Sequence, residues 1–228
     1  MLETIKKIKT GFITIGQSPR PYIMDAIAPT LERSFDIIED GALNGYTYDE
    51  ILKEFPFKKG SDFFVTELSD GTEVHINLEH IKPLVQKSID RLENKGAKII
   101  VLMCTGEMGG FKSNVLFVES SEIIKSVAAA LGKNKKVGVL IPDENQREQM
   151  EKRWRETDID AEICALSPYI SFEEAEEKVT NFRDRNWDMA VLDCMGYTKE
   201  LKQAISDKLN IRVLLSRSVV ASVISELS

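Results

Sequence analysis

Two segments of this chain end an apolar run in a cysteine with a glycine two residues on: VLMCTGEM (101–108) and VLDCMGYT (191–198). They put Cys104-Thr105-Gly106-Glu107 and Cys194-Met195-Gly196-Tyr197-Thr198 just past what read as buried strands. A third segment, Gly16-Gln17-Ser18-Pro19-Arg20, follows the β-branched run GFITIG. Each leads into a helix or a loop before one. Helix starts offer unsatisfied backbone N–H groups and a positive dipole end, which suit a carboxylate and lower a thiol pKa. Arg20 adds a planar fork for a carboxylate and Ser18 a hydroxyl. Reactive thiols beside a carboxylate cradle are therefore the chemistry these residue types allow.

Each residue also has a plainer reading. A cysteine that ends an apolar strand packs well as a small hydrophobe. Cys164, in IDAEICALSP, lacks the small polar followers and is assigned to the core. Arg20 can be a solvated arginine at a helix start, and Glu107 a helix-start acid. Asp193 points to the face opposite Cys194 in an extended chain, toward a helix. His75 alternates with Val74 and Ile76 and is expected to face solvent. Tyr46 and Tyr48 either cover the mouth of a cleft or pack under a hairpin. The loop 16–20 lacks both the Gly-x-Gly-x-x-Gly series and a Gly-Lys-Ser/Thr ending, so it is not a nucleotide cradle.

Behind these loops, short apolar runs alternate with helical patterns, the mark of an α/β fold. Strands are expected at 11–16, 35–43 and 97–107, with helices over PRPYIMDAIAPTLERS and IKPLVQKSIDRLENKG. The second half repeats the order with strands at 135–143, 159–168 and 187–198, then a helix near 199–208 and a last strand at 211–216. AKIIVLMCTGE is a continuous apolar run, as in a central parallel strand covered on both faces. The first half is longer because FFVTEL, Ser-Asp-Gly-Thr and EVHINL form a hairpin within about 55–80. The halves form a structural pseudo-repeat. The boundary is expected at the basic turn after Leu131, giving 1–131 and 132–216.

Composition narrows the classes of function. The chain has 228 residues, 43% hydrophobic and 29% charged, as in ordinary globular proteins. A net charge of -7 argues against a nucleic-acid partner. No apolar run approaches a membrane span, and the start MLETIKKIKTGFITIG is too short in its apolar part for a signal peptide. Three cysteines without framework spacing fit a reducing, cytoplasmic compartment. Two histidines and no Cys-x-x-Cys pair leave no metal site.

GFITIGQSPRPYIMDAI, FDIIEDGALNGYT, VLMCTGEM and VLDCMGYT together resemble the AroM family over nearly the whole chain. That family is named for a gene neighbourhood linked to aromatic amino-acid synthesis. More distantly, the two-cysteine layout is similar to the aspartate/glutamate racemase superfamily, with hydantoin racemases, maleate isomerases and arylmalonate decarboxylases among its members. This resemblance implies two Rossmann-like lobes with mostly parallel sheets, residues 217–228 crossing back to the first lobe, and often a homodimer. It implies a thiol from each lobe flanking a small carboxylate-bearing metabolite, and no cofactor. Cys104 and Cys194 would exchange a proton next to the carboxylate. Backbone N–H groups near Thr105 and Gly106, with Ser18, Arg20 and Thr198, would hold the carboxylate. Gln17, Glu107, Gly196 and Tyr197 complete the expected binding set. The superfamily often has Cys-Asn-Thr or Cys-Thr-Ala at the first cysteine and Cys-Thr-His or Cys-Thr-Gly at the second. This chain departs with Cys-Thr-Gly-Glu and Cys-Met-Gly-Tyr. The other readings left open are a metabolite-binding or regulatory protein without turnover, and a one-cysteine lyase.

Overall fold

The computed structural model describes residues 7–228. The first six residues, part of the segment weighed as a leader, lie outside the described residues. The chain divides into two compact units. Among the described residues, one comprises 7–104, 108–120 and 220–228, and the other 105–107 and 121–219.

The first unit opens with β1 (Ile8–Thr14), α1 (Pro21–Leu31) and β2 (Phe35–Gly41). Then come α2 (Tyr48–Glu54), β3 (Phe63–Glu67), β4 (Glu73–Asn77), α3 (Leu78–Asn94), β5 (Ile99–Leu102) and β6 (Leu116–Glu119). β1 and β5 are the inner strands of a parallel sheet ordered β2-β1-β5-β6, which is why their residues read as unbroken apolar runs. α1 starts with Pro21, whose missing N–H costs nothing there, and buries Ile23, Met24, Ile27 and Leu31. α3 buries Ile81, Leu84, Val85, Ile89 and Leu92 at helical spacing. Its Arg91 forms a charge-assisted pair with buried Asp40 of β2, 2.5 Å from Nη2 to Oδ1. That hydrogen bond to Asp40 raises the Arg91 pKa.

The Asp-Gly turn expected at 70–71 is present. β3 and β4 form a separate antiparallel pair, and Gly71 takes φ +85° at the turn. His75 is half-buried rather than solvent-facing, because the rings of Phe57 and Phe63 lie 5.7 and 5.4 Å from it. Tyr46 packs on the core of this unit with its ring edge against Phe55, whereas Tyr48 is exposed.

The second unit contains most of α4 (Ser120–Gly132), β7 (Lys136–Ile141), α5 (Arg147–Arg155) and β8 (Asp160–Ala165). α6 (Phe172–Val179), β9 (Met189–Leu192), α7 (Lys199–Leu209) and β10 (Arg212–Leu215) follow, then α8 (Ser216–Ser225), which ends among residues of the first unit. Its parallel sheet runs β10-β9-β7-β8. Numbered within each unit, both sheets have the order second, first, third, fourth. The pseudo-repeat seen in the sequence is thus a repeat of topology.

Three elements escape the sequence reading. α2 carries a full capping box, Thr47 with Glu50, a legible signal that was passed over. β6 is a four-residue, half-exposed edge strand without a long apolar run. α4 groups with the second unit, not the first, so the boundary falls at 120/121 instead of 131/132. Tertiary bonds draw it there: Arg153 of α5 donates to the Ser121 carbonyl, and Lys125 pairs with Glu156.

Gly138, in the inner strand β7, has no room for a side chain. A Cβ there would lie 2.3 Å from the Trp187 ring. Gly138→Ala is expected to lower unfolding stability by about 1–3 kcal/mol through overpacking. Urea denaturation of the variant checks this, read as a lower midpoint at unchanged slope.

Candidate functional site

In each sheet the strand order reverses between the inner strands, β1 and β5 in one unit, β7 and β9 in the other. Loops leaving the C-terminal ends there diverge and open a crevice, where ligands bind in open α/β sheets. The registers Ile13↔Leu102 and Leu140↔Leu192 are equivalent, and each ladder continues by one bond past the strand end. Met103 N–H donates to the Ile13 carbonyl, and Asp193 N–H to the Leu140 carbonyl, at 2.8 and 2.9 Å. Cys104 and Cys194 each come next, at the same place in their own unit.

In the first unit Cys104 is 8% exposed and belongs to the core cluster. No helix starts directly after it, contrary to expectation. Residues 103–115 are irregular and lead into β6. Gln86 and Glu93 of α3 hold this stretch by hydrogen bonds to Lys112 and to Ser113 and Asn114.

The loop after β1 is built differently from what its residue types promised. Arg20 is buried, and its fork is spent inside the fold. Nη1 donates to Glu67 Oε2, while Nη2 donates to Thr66 Oγ1 and the Glu67 carbonyl, all at 2.9 Å. Gln17 staples this loop to its neighbours. Its Nε2 donates to the Leu43 and Tyr46 carbonyls, and its Oε1 accepts from Ser69 N–H. Ser18 is half-buried and exchanges hydrogen bonds with Asn44. The Ser18–Pro19 peptide is cis. Gly16 permits this closeness, since a Cβ there would lie 2.3 Å from the Glu67 carbonyl oxygen.

In the second unit Cys194 is half-buried, and its Sγ accepts from Gly196 N–H at 3.4 Å. Thr198 caps α7 by accepting from Leu201 N–H. Tyr197 is a correction to its expected place in the binding set. It is fully buried, and its hydroxyl donates to the Leu166 carbonyl at 2.5 Å. Burial, then the neighbouring Cys194 and Asp193, push that phenol well above its ordinary pKa. Gly196 packs against Pro168 and Tyr169, leaving little space for a side chain.

Asp193 turns to a helix, as an alternating chain requires. Its Oδ2 accepts from Arg153 Nη1 at 2.8 Å and from Trp154 Nε1 at 2.9 Å, both on α5. Its carbonyl accepts from Thr105 Oγ1 at 2.9 Å. Thr105 and Gly106 are buried. Glu107 is neither a helix-start acid nor a vacant site residue. It pairs with Lys125 Nζ at 2.6 Å and with Arg153 Nε at 3.3 Å. The Glu107 bond raises the Lys125 pKa. An alternating string, Asp193, Arg153, Glu107 and Lys125, thus runs from beside Cys194 outward.

The family profile described as AroM protein matches residues 10–228. This chain belongs to the AroM family. Among solved structures, its fold is similar to a double mutant of arylmalonate decarboxylase in the liganded form. That match has TM-score 0.65 and 13% identity, covering 97% of this chain and 92% of the other. It is also similar to Francisella tularensis glutamate racemase in complex with D-glutamate, with TM-score 0.64 and 14% identity over 97% and 81% of the two chains. Picrophilus torridus aspartate racemase matches with TM-score 0.62 and 14% identity over 96% and 94%. At these identities the shared property is the racemase-type fold. A comparison with curated proteins gives no match.

In this AroM chain the sequence reading missed Arg153 and Trp154 as neighbours of the Cys194 loop. The only signal was an arginine within a strongly patterned helix, a type that is usually solvated. The Arg153–Asp193 pair is buried on both sides. Removing one partner strands the other charge, so Asp193→Ala should lose about 3–5 kcal/mol of stability. Asp193→Asn, which keeps an acceptor for Trp154, should lose less; chemical denaturation of both variants compares them. Cys164 lies buried in β8, and burial pushes its thiol up. Less thiolate forms at a given pH. Peptide mass mapping after iodoacetamide treatment near pH 7.5 should find Cys194 modified well before Cys164, with Cys164 labelling still rising at higher pH.

Proposed function

We propose that this AroM chain is a cofactor-independent racemase or isomerase acting on a small metabolite at the carbon next to its carboxylate. Cys104 and Cys194 are the acid–base pair. One observation carries the reading: the two thiols occupy equivalent places, each two residues past the inner third strand of its own sheet. A structural cysteine has no reason to recur at both switch points. The likeness in fold to racemases and to a decarboxylase supports the same class.

The chemistry balances without a redox partner. One cysteine, as thiolate, takes the α-proton, and the C–H electron pair spreads into the carboxylate. The other cysteine, as thiol, returns a proton to the carbon. The enzyme ends with its proton on the opposite sulfur and resets by exchange with solvent. Donors aimed at the carboxylate lower the barrier, because the charge develops there.

Incubation of a panel of α-amino, α-hydroxy and aryl-substituted carboxylates in heavy water tests this. Deuterium should enter the α-carbon with the wild-type chain and be lost in both Cys104→Ser and Cys194→Ser. Exchange that survives both substitutions overturns the two-cysteine mechanism.

A second reading, a one-cysteine lyase, is favoured by the unequal exposure of the thiols. Cys194 is half-buried with an N–H on its sulfur, whereas Cys104 is buried. It predicts that Cys194→Ser alone abolishes turnover.

A further inference from the structure

Thr105 follows Cys104 directly, yet its hydroxyl is bonded to the other cysteine segment. The residue is 6% exposed, and its Oγ1 donates to the Asp193 carbonyl at 2.9 Å, 88 positions along the chain. That oxygen belongs to the peptide group that begins Cys194. Residues 105–107 group with the second unit, as do Asp193 and Cys194, whereas Cys104 belongs to the first. Glu107 adds to the attachment through Lys125 and Arg153.

Asp193 is held in three ways, and each acts on a different bond of the chain. Its N–H donates to the Leu140 carbonyl, which fixes the peptide before it. Its carboxylate takes Arg153 and Trp154, which fixes the Cα and the side chain. Rotation about the bond from Cα to the carbonyl carbon remains, and that rotation carries Cys194 with it. A peptide group is planar and stiff, so turning the Asp193 oxygen swings the Cys194 nitrogen and Cα as one body. The Thr105 hydrogen bond opposes this rotation directly. Threonine suits the task, because its β-branch restricts χ1 and holds the hydroxyl in one direction. The geometry matters at the sulfur, where Cys194 Sγ accepts from Gly196 N–H at 3.4 Å. A hydrogen bond to sulfur favours thiolate over thiol.

We propose that Thr105 is a positioning residue for Cys194, setting the Asp193–Cys194 peptide through its hydroxyl. Its effect on turnover rests on Cys194 reacting with the substrate, as the proposed function holds. The hydroxyl then serves the second thiol and not the ligand.

The pH dependence of iodoacetamide labelling at Cys194, followed by peptide mass mapping, tests this without any substrate. Thr105→Val keeps the shape and removes the hydroxyl. Its Cys194 midpoint should rise by about half a pH unit or more, a part of what a hydrogen bond to a charged group is worth. Thr105→Ser keeps the hydroxyl and should return the midpoint to that of wild type. Cys164 should label alike in all three. Gly138→Ala, destabilised in the same unit by another cause, should keep the wild-type Cys194 midpoint, which tells positioning from a loss of stability. An unmoved midpoint in folded Thr105→Val overturns the proposal. So does Thr105→Ser or Gly138→Ala shifting as far as Thr105→Val. Should Thr105→Val fail to fold, the wild type decides. Alkylation of Cys194 should move the methyl NMR signal of Thr105, assigned by its absence in Thr105→Ser, and an unmoved signal overturns the proposal. The deuterium experiment keeps the two ideas apart. A midpoint that depends on Thr105 without α-exchange in wild type sinks the reaction and leaves Thr105 in place. Exchange with an unmoved midpoint sinks Thr105 alone.

Discussion

Everything distinctive in this chain depends on where the strand order reverses in a parallel sheet. β1 and β5, and again β7 and β9, lie side by side while the chain leaves them toward opposite edges. No connection crosses that gap, so the backbone past each strand end is left with unshared donors and acceptors. In both units one further ladder bond, from Met103 and from Asp193, carries the strand a residue beyond its formal end. The cysteine that follows is the first residue released from the sheet. It is anchored by the ladder behind it, so its position is set by a rigid element rather than by a loop alone.

The two units solve the same problem with different materials. In the first, the loop after β1 is bound to the hairpin by Gln17 and Arg20, and Gly16 lets the backbones meet. The hairpin insertion thereby takes up an arginine that would otherwise suit an anion. In the second, the work falls to a buried charge string. Asp193 is held by Arg153, and Arg153 is shared with Glu107. Two buried charges repay their desolvation only with good geometry and extra hydrogen bonds. The Trp154 indole on Asp193 and the Ser121 carbonyl on Arg153 supply those bonds, and the Thr105 hydroxyl holds the Asp193 carbonyl. The residue before Cys194 is thus held through its N–H, its carbonyl and its carboxylate. The position of Cys194 follows from that anchored neighbour.

Membership of the AroM family and the racemase-type fold set the frame, and Met195 and Tyr197 show how this chain fills it. Both side chains are buried. The loop after Cys194 therefore turns both side chains inward, and its Gly196 N–H is spent on the Cys194 sulfur.

Much of the architecture was legible in the residues. Continuous apolar runs marked the inner strands, because only strands covered on both faces need them. Asp70-Gly71 marked the hairpin, because its turn needs positive φ. The strand-end positions of Cys104 and Cys194 followed directly. Side-chain partnership did not follow. Arg20 meets Glu67 across 47 positions, and Arg153 meets Asp193 across 40. Periodicity tells which face a residue occupies, but nothing local tells which of 37 acids an arginine will find. Arg20 looked vacant and is engaged, while Arg217 looked ordinary and is buried. Folding alone decided this, because the energy of a charge depends on what the tertiary structure removes from around it, namely water.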